Sequence, residues 1–279
     1  MRTKGMATLM AATIAAGIGS ATAAQAGTVT VKGSDTMVVL GQRWAEEYMK
    51  KNPKTTIQVT GGGSGTGISA LINGTTDICE ASRAMKDAEK KQLAEKAGAP
   101  PIEIAVAKDG LSVFVHESNP LTELSMEQLK AIFTGKVSSW KDVGGPDAKI
   151  IPYSRENSSG TYVFFKEHVL ANADYSPRAQ AMPGTAAVVN AVSKEKFSIG
   201  YGGAAYAKGI KVLKIKKDDK AAGIGPTDAT IKDGSYPLSR PLFFYTRTGP
   251  SAEIKAFTDW VLGAEGQGLA TKVGYFPLK

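Results

Sequence analysis

The sequence predicts an α/β fold built largely from parallel sheets. Two observations carry that prediction. Short strand-like runs alternate with segments whose apolar residues recur at helical spacing, nearly from end to end. Apolar content is 42%, ordinary for a globular chain, and no internal repeat or long low-complexity tract interrupts the alternation.

Residues 1–26 come first and stand apart. Arg2 and Lys4 make a basic start, Leu9 to Ile18 is apolar, and Ala24-Gln25-Ala26 ends the segment with a small-residue cleavage pattern. The apolar run is too short, and too rich in Gly, Thr and Ala, to span a bilayer, so the expectation is a secretory signal peptide. No cysteine stands at the cleavage point to take a lipid anchor. Export into the periplasm, with a mature chain starting near Gly27, follows as an expectation.

The mature chain then reads element by element. Thr28 to Lys32 is a strand, and Val38 to Lys51 a helix ended by Asn52-Pro53. Thr55 to Thr60 is a strand, Gly65 to Ile72 a helix, Ile78 to Ser82 a strand, and Asp87 to Lys96 a polar helix ended by Gly98. Ile102 to Ala107 and Leu111 to His116 are expected as two strands around Asp109-Gly110. Ser125 starts a helix reaching Phe133, with Glu127 and Gln128 in its first turn. Lys149 to Pro152 is strand-like. Ser159 to Leu170 and Thr185 to Val192 are helices, and Phe197 to Tyr201, Val212 to Ile215 and Arg240 to Thr246 are strands. Helices at Ala252 to Leu262 and Glu265 to Val273 close the chain. The mixed run Lys214 to Lys220 reads as a solvated edge or loop.

Charge and cysteine usage narrow the function. Without residues 1–26 the chain carries 32 basic and 26 acidic side chains, a moderate positive excess that suits an anionic ligand without requiring one. A lone cysteine, Cys79 in an apolar run, permits no internal disulfide and reads as a buried thiol. His116 and His168 are the only histidines, and neither stands at metal-ligand spacing, so no metal or cofactor is expected. Trp44, Trp140 and Trp260 read as packing residues, and no basic patch interleaved with aromatics points to nucleic acid.

Three segments share one design, in which a strand gives way to small or hydroxyl residues and then to a helix start. They are Gly33-Ser34-Asp35-Thr36-Met37, Gly61 to Gly67 with Ser64 inside it, and Arg155-Glu156-Asn157-Ser158-Ser159-Gly160-Thr161. A helix start exposes backbone N–H groups without intrahelical partners, and its dipole favours negative charge. Ser and Thr add hydroxyl donors, and Gly lets a ligand approach the backbone. Each segment alone is compatible with ordinary helix capping. Three together, one led by an arginine, describe an oxyanion site. Arg155 can fork two oxygens of a tetrahedral anion, and Arg83 follows a strand at the end where ligands sit in α/β sheets. Either arginine could instead serve a salt bridge.

Other readings of these motifs fail. No Lys follows the Gly61 to Gly67 run, as a P-loop requires. A G-x-G-x-x-A match at Gly65 to Ala70 begins inside the expected helix and lacks a clear acidic partner. Thr66 stands where a nucleophile elbow around Ser64 needs glycine.

These segments, with Ala81-Ser82-Arg83-Ala84-Met85, Asp109-Gly110-Leu111, Ile132-Phe133-Thr134-Gly135, Trp140 and Tyr236-Pro237-Leu238-Ser239-Arg240-Pro241, resemble the periplasmic phosphate-binding proteins of ABC importers. The resemblance runs in order through essentially all of the mature chain. It implies an α/β, two-lobed type II periplasmic binding protein with two hinge crossings, near Asp109-Gly110 and at the strand from Arg240. Residues 27–110 and 239–279 would form lobe I, and residues 111–238 lobe II. It implies a monomer that is no enzyme, with inorganic phosphate as ligand and an importer's permease and ATPase as partners. Carried onto this chain, Thr36, Met37, Ser64, Arg155, Ser159, Gly160 and Thr161 would hold the anion, with Arg83 added as a second guanidinium.

One departure matters. Well-known members place an aspartate where this chain has Arg83, and that aspartate accepts a proton from phosphate and so rejects sulfate. Arg83 cannot accept a hydrogen bond. Asp35, Asp109 or Glu80 would have to supply the acceptor, or the filter is weaker. Another tetrahedral oxyanion (sulfate, molybdate, tungstate), a secreted phosphatase, and a signalling or adhesive relative without transport remain the alternatives.

Overall fold

The computed structural model describes residues 27–278; the expected signal peptide lies outside them. Strand β1 (Gly27–Gly33) alternates buried and less buried residues, as a half-covered strand should. Helix α1 (Val38–Lys51) buries Leu40, Trp44, Ala45 and Tyr48 along one stripe. There follow β2 (Thr55–Thr60), α2 (Ser64–Asn73), β3 (Ile78–Ala81) and α3 (Asp87–Ala97), the last two helices each ending on a left-handed glycine, Gly74 and Gly98.

Strand β4 (Ile102–Val115) is one continuous strand of 14 residues, not two strands broken at Asp109-Gly110. Tertiary forces override the turn preference of that pair. The Asp109 carboxylate is bound by Arg240 of the neighbouring strand, and a Cβ at Gly110 would lie 2.7 Å from Pro226 Cβ. Glycine is there for close packing, in extended backbone.

The chain continues through β5 (Glu123–Ser125), α4 (Met126–Thr134), β6 (Ile151–Arg155), α5 (Gly160–His168), β7 (Gln180–Met182), α6 (Gly184–Lys194), β8 (Ser198–Gly203) and β9 (Lys211–Lys216). It ends with α7 (Asp228–Lys232), β10 (Ser239–Thr246), α8 (Ala252–Leu262) and α9 (Ala264–Val273). Ser125 caps α4 in a reciprocal box with Gln128. β5, β7 and α7 had no counterpart in the expected elements, being too short to show a period.

The strands run β2-β1-β3-β10-β4-β8-β6-β7, with β9 joining β4 and β5. β1 pairs in parallel with β2 and β3, and β6 pairs in parallel with β8 and β7. The central strands differ from the expected parallel arrangement: β10 is antiparallel to β3 and β4, and β4 is antiparallel to β8 and β9. Residues 102–110 of β4 pair with β10, whereas Leu111 to Val115 pair with β8, so one strand serves both halves of the sheet.

The core divides at the same point. One large cluster includes Val31, Trp44, Ile78, Val106, Phe244 and Phe257, and the other Leu111, Phe133, Trp140, Phe165, Tyr201 and Leu238. Trp44 and Trp140 are fully buried and donate to Gly266 O and Phe197 O; Trp260 packs edge-on against Tyr48. Cys79 is buried, which pushes its thiol well above its ordinary pKa. Among the described residues no helix is long and apolar enough to cross a membrane.

Candidate anion-binding site

The three helix starts, far apart in sequence, meet. β1 delivers Ser34 and Thr36. The Thr36 hydroxyl lies 2.8 Å from that of Thr161 at the start of α5, and Ser34 donates to the Ser82 hydroxyl at 2.8 Å. The second start reaches the third through its backbone, as Gly65 N–H donates to Ser158 O at 2.9 Å. Gly63, at φ 92°, makes that approach possible, because a Cβ there would sit 2.5 Å from Ser158 O. Ser64 Oγ accepts from Ser82 N–H at 3.1 Å and lies 3.4 Å from Ser82 Oγ.

Hydroxyls at the first two starts do not cap their own helices: the N-caps of α1 and α2 are Met37 and Gly63, which have no hydroxyl, and neither helix start has a side-chain capping bond. Ser159 does cap, accepting from Tyr162 N–H at 3.3 Å. Its proton can still point outward, as can the N–H groups of Gly160 and Thr161 in the first turn. The Met37 N–H donates to Ser34 O at 2.8 Å. Ser64, Ser82 and Thr161 are fully buried, and Thr36, Ser159 and Arg155 nearly so.

Arg155 ends β6 and is 1% exposed. Nη1 donates to Thr185 Oγ1 at 2.9 Å and Nη2 to Asp35 Oδ2 at 2.8 Å. Burial pulls the guanidinium below its ordinary pKa, and the Asp35 charge opposes that pull. Asp35 also accepts from Gly62 N–H at Oδ1, so it ties the first two starts to the third. Tyr206 adds its hydroxyl to Asp35 O at 2.7 Å.

Arg83 is placed differently from the other predicted ligands. Its guanidinium forks Glu89 of α3 at 2.7 and 2.8 Å and donates to Ala84 O, and it makes no hydrogen bond to the hydroxyl cluster. Glu89 is pushed up by burial, but its bonds from Arg83 and Lys86 N–H overcome this and hold it below the usual carboxylate range. Glu80 is fully buried, and neither carboxyl oxygen has a hydrogen-bond partner among the described residues.

Sequence reasoning placed Ser34, Ser82 and Arg240 inside its motifs but left all three out of the expected ligand set. Arg240 faces Asp109 across β10 and β4, and its Nε and Nη2 both donate to Asp109 Oδ2, at 3.0 and 2.8 Å. A signal was present in the Ser-Arg and Asp-Gly pairs, but their facing register appears only once the strands are paired. His116 bonds Ser118, and His168 stacks on Phe164.

This arrangement can bind an oxyanion with hydroxyl and N–H donors and one buried guanidinium. Comparisons with known proteins agree in kind. A model described as a PBP superfamily domain matches residues 19–265. The phosphate-binding protein PstS of Pseudomonas aeruginosa is 36% identical over 297 residues, covering 95% of this chain and 92% of that protein. That of Staphylococcus haemolyticus is 40% identical, covering 77% of this chain and 69% of that protein. Among solved structures, a putative phosphate ABC transporter substrate-binding protein with bound phosphate from Clostridium perfringens matches with a TM-score of 0.83 at 29% identity, covering 91% of this chain and 100% of that one. An ABC-type phosphate transport receptor from Vibrio cholerae matches at 0.72 and 29%, covering 89% of this chain and 99% of that one.

Proposed function

This chain belongs to the PBP superfamily, among the phosphate-binding proteins of ABC importers, and from that premise we propose that it captures inorganic phosphate in a cleft and delivers it to an importer. Its fold is the two-lobed type II periplasmic binding fold. The observation that carries the proposal is the meeting of three buried helix starts, with Thr36 and Thr161 hydroxyls 2.8 Å apart and Arg155 beside them.

Residues 27–110 and 239–279 are proposed as lobe I and residues 111–238 as lobe II. The division of the core and the switch of β4 partners at Leu111 support that boundary. Hydrogen bonds across it (Gly65 to Ser158, Asp35 to Arg155) support reading this conformation as the closed one. Thr36, Ser64, Arg155, Ser159, Gly160 and Thr161 are the proposed ligands, with Met37 at the first helix start. Arg83 enters as a neighbour held by Glu89 rather than as a direct ligand. Its paired charge leaves the acceptor for a phosphate proton to Asp35 or Asp109. Charge-assisted bonds of about 1.5–3 kcal/mol each, before desolvation, would drive closure.

Periplasmic location and partnership with a permease and ATPase complete the reading. Binding rather than turnover is supported by Ser159, whose Oγ accepts a backbone N–H and bonds no histidine or carboxylate among the described residues. Calorimetric titration of the mature protein, stripped of carried ligand by partial unfolding, tests it: tight one-to-one binding of phosphate is expected, and no heat with phosphate would overturn it.

A further inference from the structure

Arg240 and Asp109 lie on the two strands that run between the halves of the molecule, and both side chains are 1% exposed. Besides its two bonds to Asp109 Oδ2, Arg240 donates from Nη1 to Ser82 O at 3.1 Å and from Nη2 to Thr161 Oγ1 at 3.0 Å. Its guanidinium also sits 5.2 Å from the centre of the Phe164 ring, one turn along α5 from Gly160. One side chain therefore joins the end of β3, the β4 strand and the start of α5.

The direction of these bonds is fixed by chemistry. Arginine has donors only, so Thr161 Oγ1 must accept from Nη2. A hydroxyl has one proton, so Thr161 then donates it either to Thr36 Oγ1, 2.8 Å away, or to a bound anion. A cation bonded to the oxygen polarises the O–H and makes it a stronger donor. Asp109 balances the charge, so the site gains donor strength without a further unpaired cation.

We propose that Arg240 is a positioning residue for anion capture: it turns the Thr161 hydroxyl into an oriented donor and fastens α5 to the crossing strands when the cleft is closed. This rests on the phosphate-binding reading and deepens it. The contact joins a crossing strand to the far lobe, so losing it costs affinity twice, through a misdirected hydroxyl and a less favoured closed state.

The test is a double-mutant cycle in phosphate affinity, with thermal melts alongside. R240Q is expected to weaken phosphate binding by about tenfold or more, the share of one charge-assisted bond. R240K is expected to fall between R240Q and wild type, because a point charge cannot reproduce the fork. On a T161V background, R240Q should add little further loss, since the hydroxyl that it positions is gone. If R240Q does not fold, R240K carries the same cycle. Losses that simply add would mean that Arg240 acts only on the fold, and they overturn the inference, as would R240Q and R240K binding like wild type. A wild-type protein that binds no phosphate is a different outcome: it overturns the phosphate reading, and this inference with it.

Discussion

Replacing Gly160 with alanine should keep the cleft from closing while leaving each lobe intact. A Cβ on Gly160 would lie 2.8 Å from Ser82 Oγ and 2.9 Å from Ser64 Cβ, and closer still to Ser64 Oγ. Carbon atoms prefer about 3.5–4.0 Å, so the shortfall is roughly 1 Å. All of those atoms belong to the proposed lobe I and Gly160 to the proposed lobe II, and the added methyl can be relieved by holding α5 that distance away. Such a shift would break three bonds across the boundary: Gly65 N–H to Ser158 O at 2.9 Å, Thr36 to Thr161 at 2.8 Å and Arg240 to Thr161 at 3.0 Å. With about 1 kcal/mol for each neutral bond and about 1.5–3 for the charged one, closure loses about 3.5–5 kcal/mol, or ~10²–10⁴-fold in Kd. Stability of the unliganded protein should hold, because alanine is favoured over glycine in a helix by about 1 kcal/mol. Calorimetry with phosphate and thermal melting without it measure the two quantities. G160A binding as tightly as wild type would refute the closed-cleft geometry, and a collapse of the unliganded melting temperature would refute the assignment of the clash to the interface between lobes.

Other substitutions separate binding from structure. R155K keeps a charge but loses the fork to Thr185 and Asp35, and phosphate affinity measured by calorimetry should fall about 10–100-fold. R83M breaks a mostly buried pair with Glu89, whose side chain is 21% exposed; a denaturant titration should show a loss of about 1–3 kcal/mol, with phosphate affinity changed only a few-fold. A hundredfold loss of affinity in R83M would return Arg83 to the ligand set. Glu80 gives a pH signature. Burial, and secondarily the charge of Asp35, push its carboxyl well above the ordinary range. The unfolded chain gives up this proton near its usual value of about 4.3 and the folded chain only at higher pH, so the stability linked to Glu80 is full below that value and declines as pH rises. Melts from about pH 5 to 8 should therefore show a downward slope in wild type that E80Q flattens.

Much of this architecture is legible in the sequence, because most of it is local. The stripe Leu40, Trp44, Tyr48 announces α1, and Ser125 with Gln128 announces the start of α4. Glycines and hydroxyls after strands mark the helix starts because backbone exposed there demands small or capping residues. What escaped notice depends on distant pairing. Asp109-Gly110 has the composition of a turn, and partners far along the chain, Arg240, 131 residues away, on the Asp109 carboxylate and Pro226 against Gly110, hold it in a strand. The same separation hid Arg240 and Ser82 from the candidate site, since nothing near either residue shows what it will face. Arg83 teaches the converse. Its partner Glu89 lies six residues ahead, in the first turn of the predicted α3 helix, and that short spacing could have been weighed against a ligand role.

The central claim is that the buried hydroxyl cluster with Arg155 selects phosphate. Titration of stripped mature protein with phosphate, alone and then in excess sulfate, tests it most directly. The account predicts tight one-to-one binding that sulfate does not weaken, with Asp35 or Asp109 accepting the phosphate proton. Binding of sulfate in place of phosphate, or no binding of phosphate at all, would contradict it.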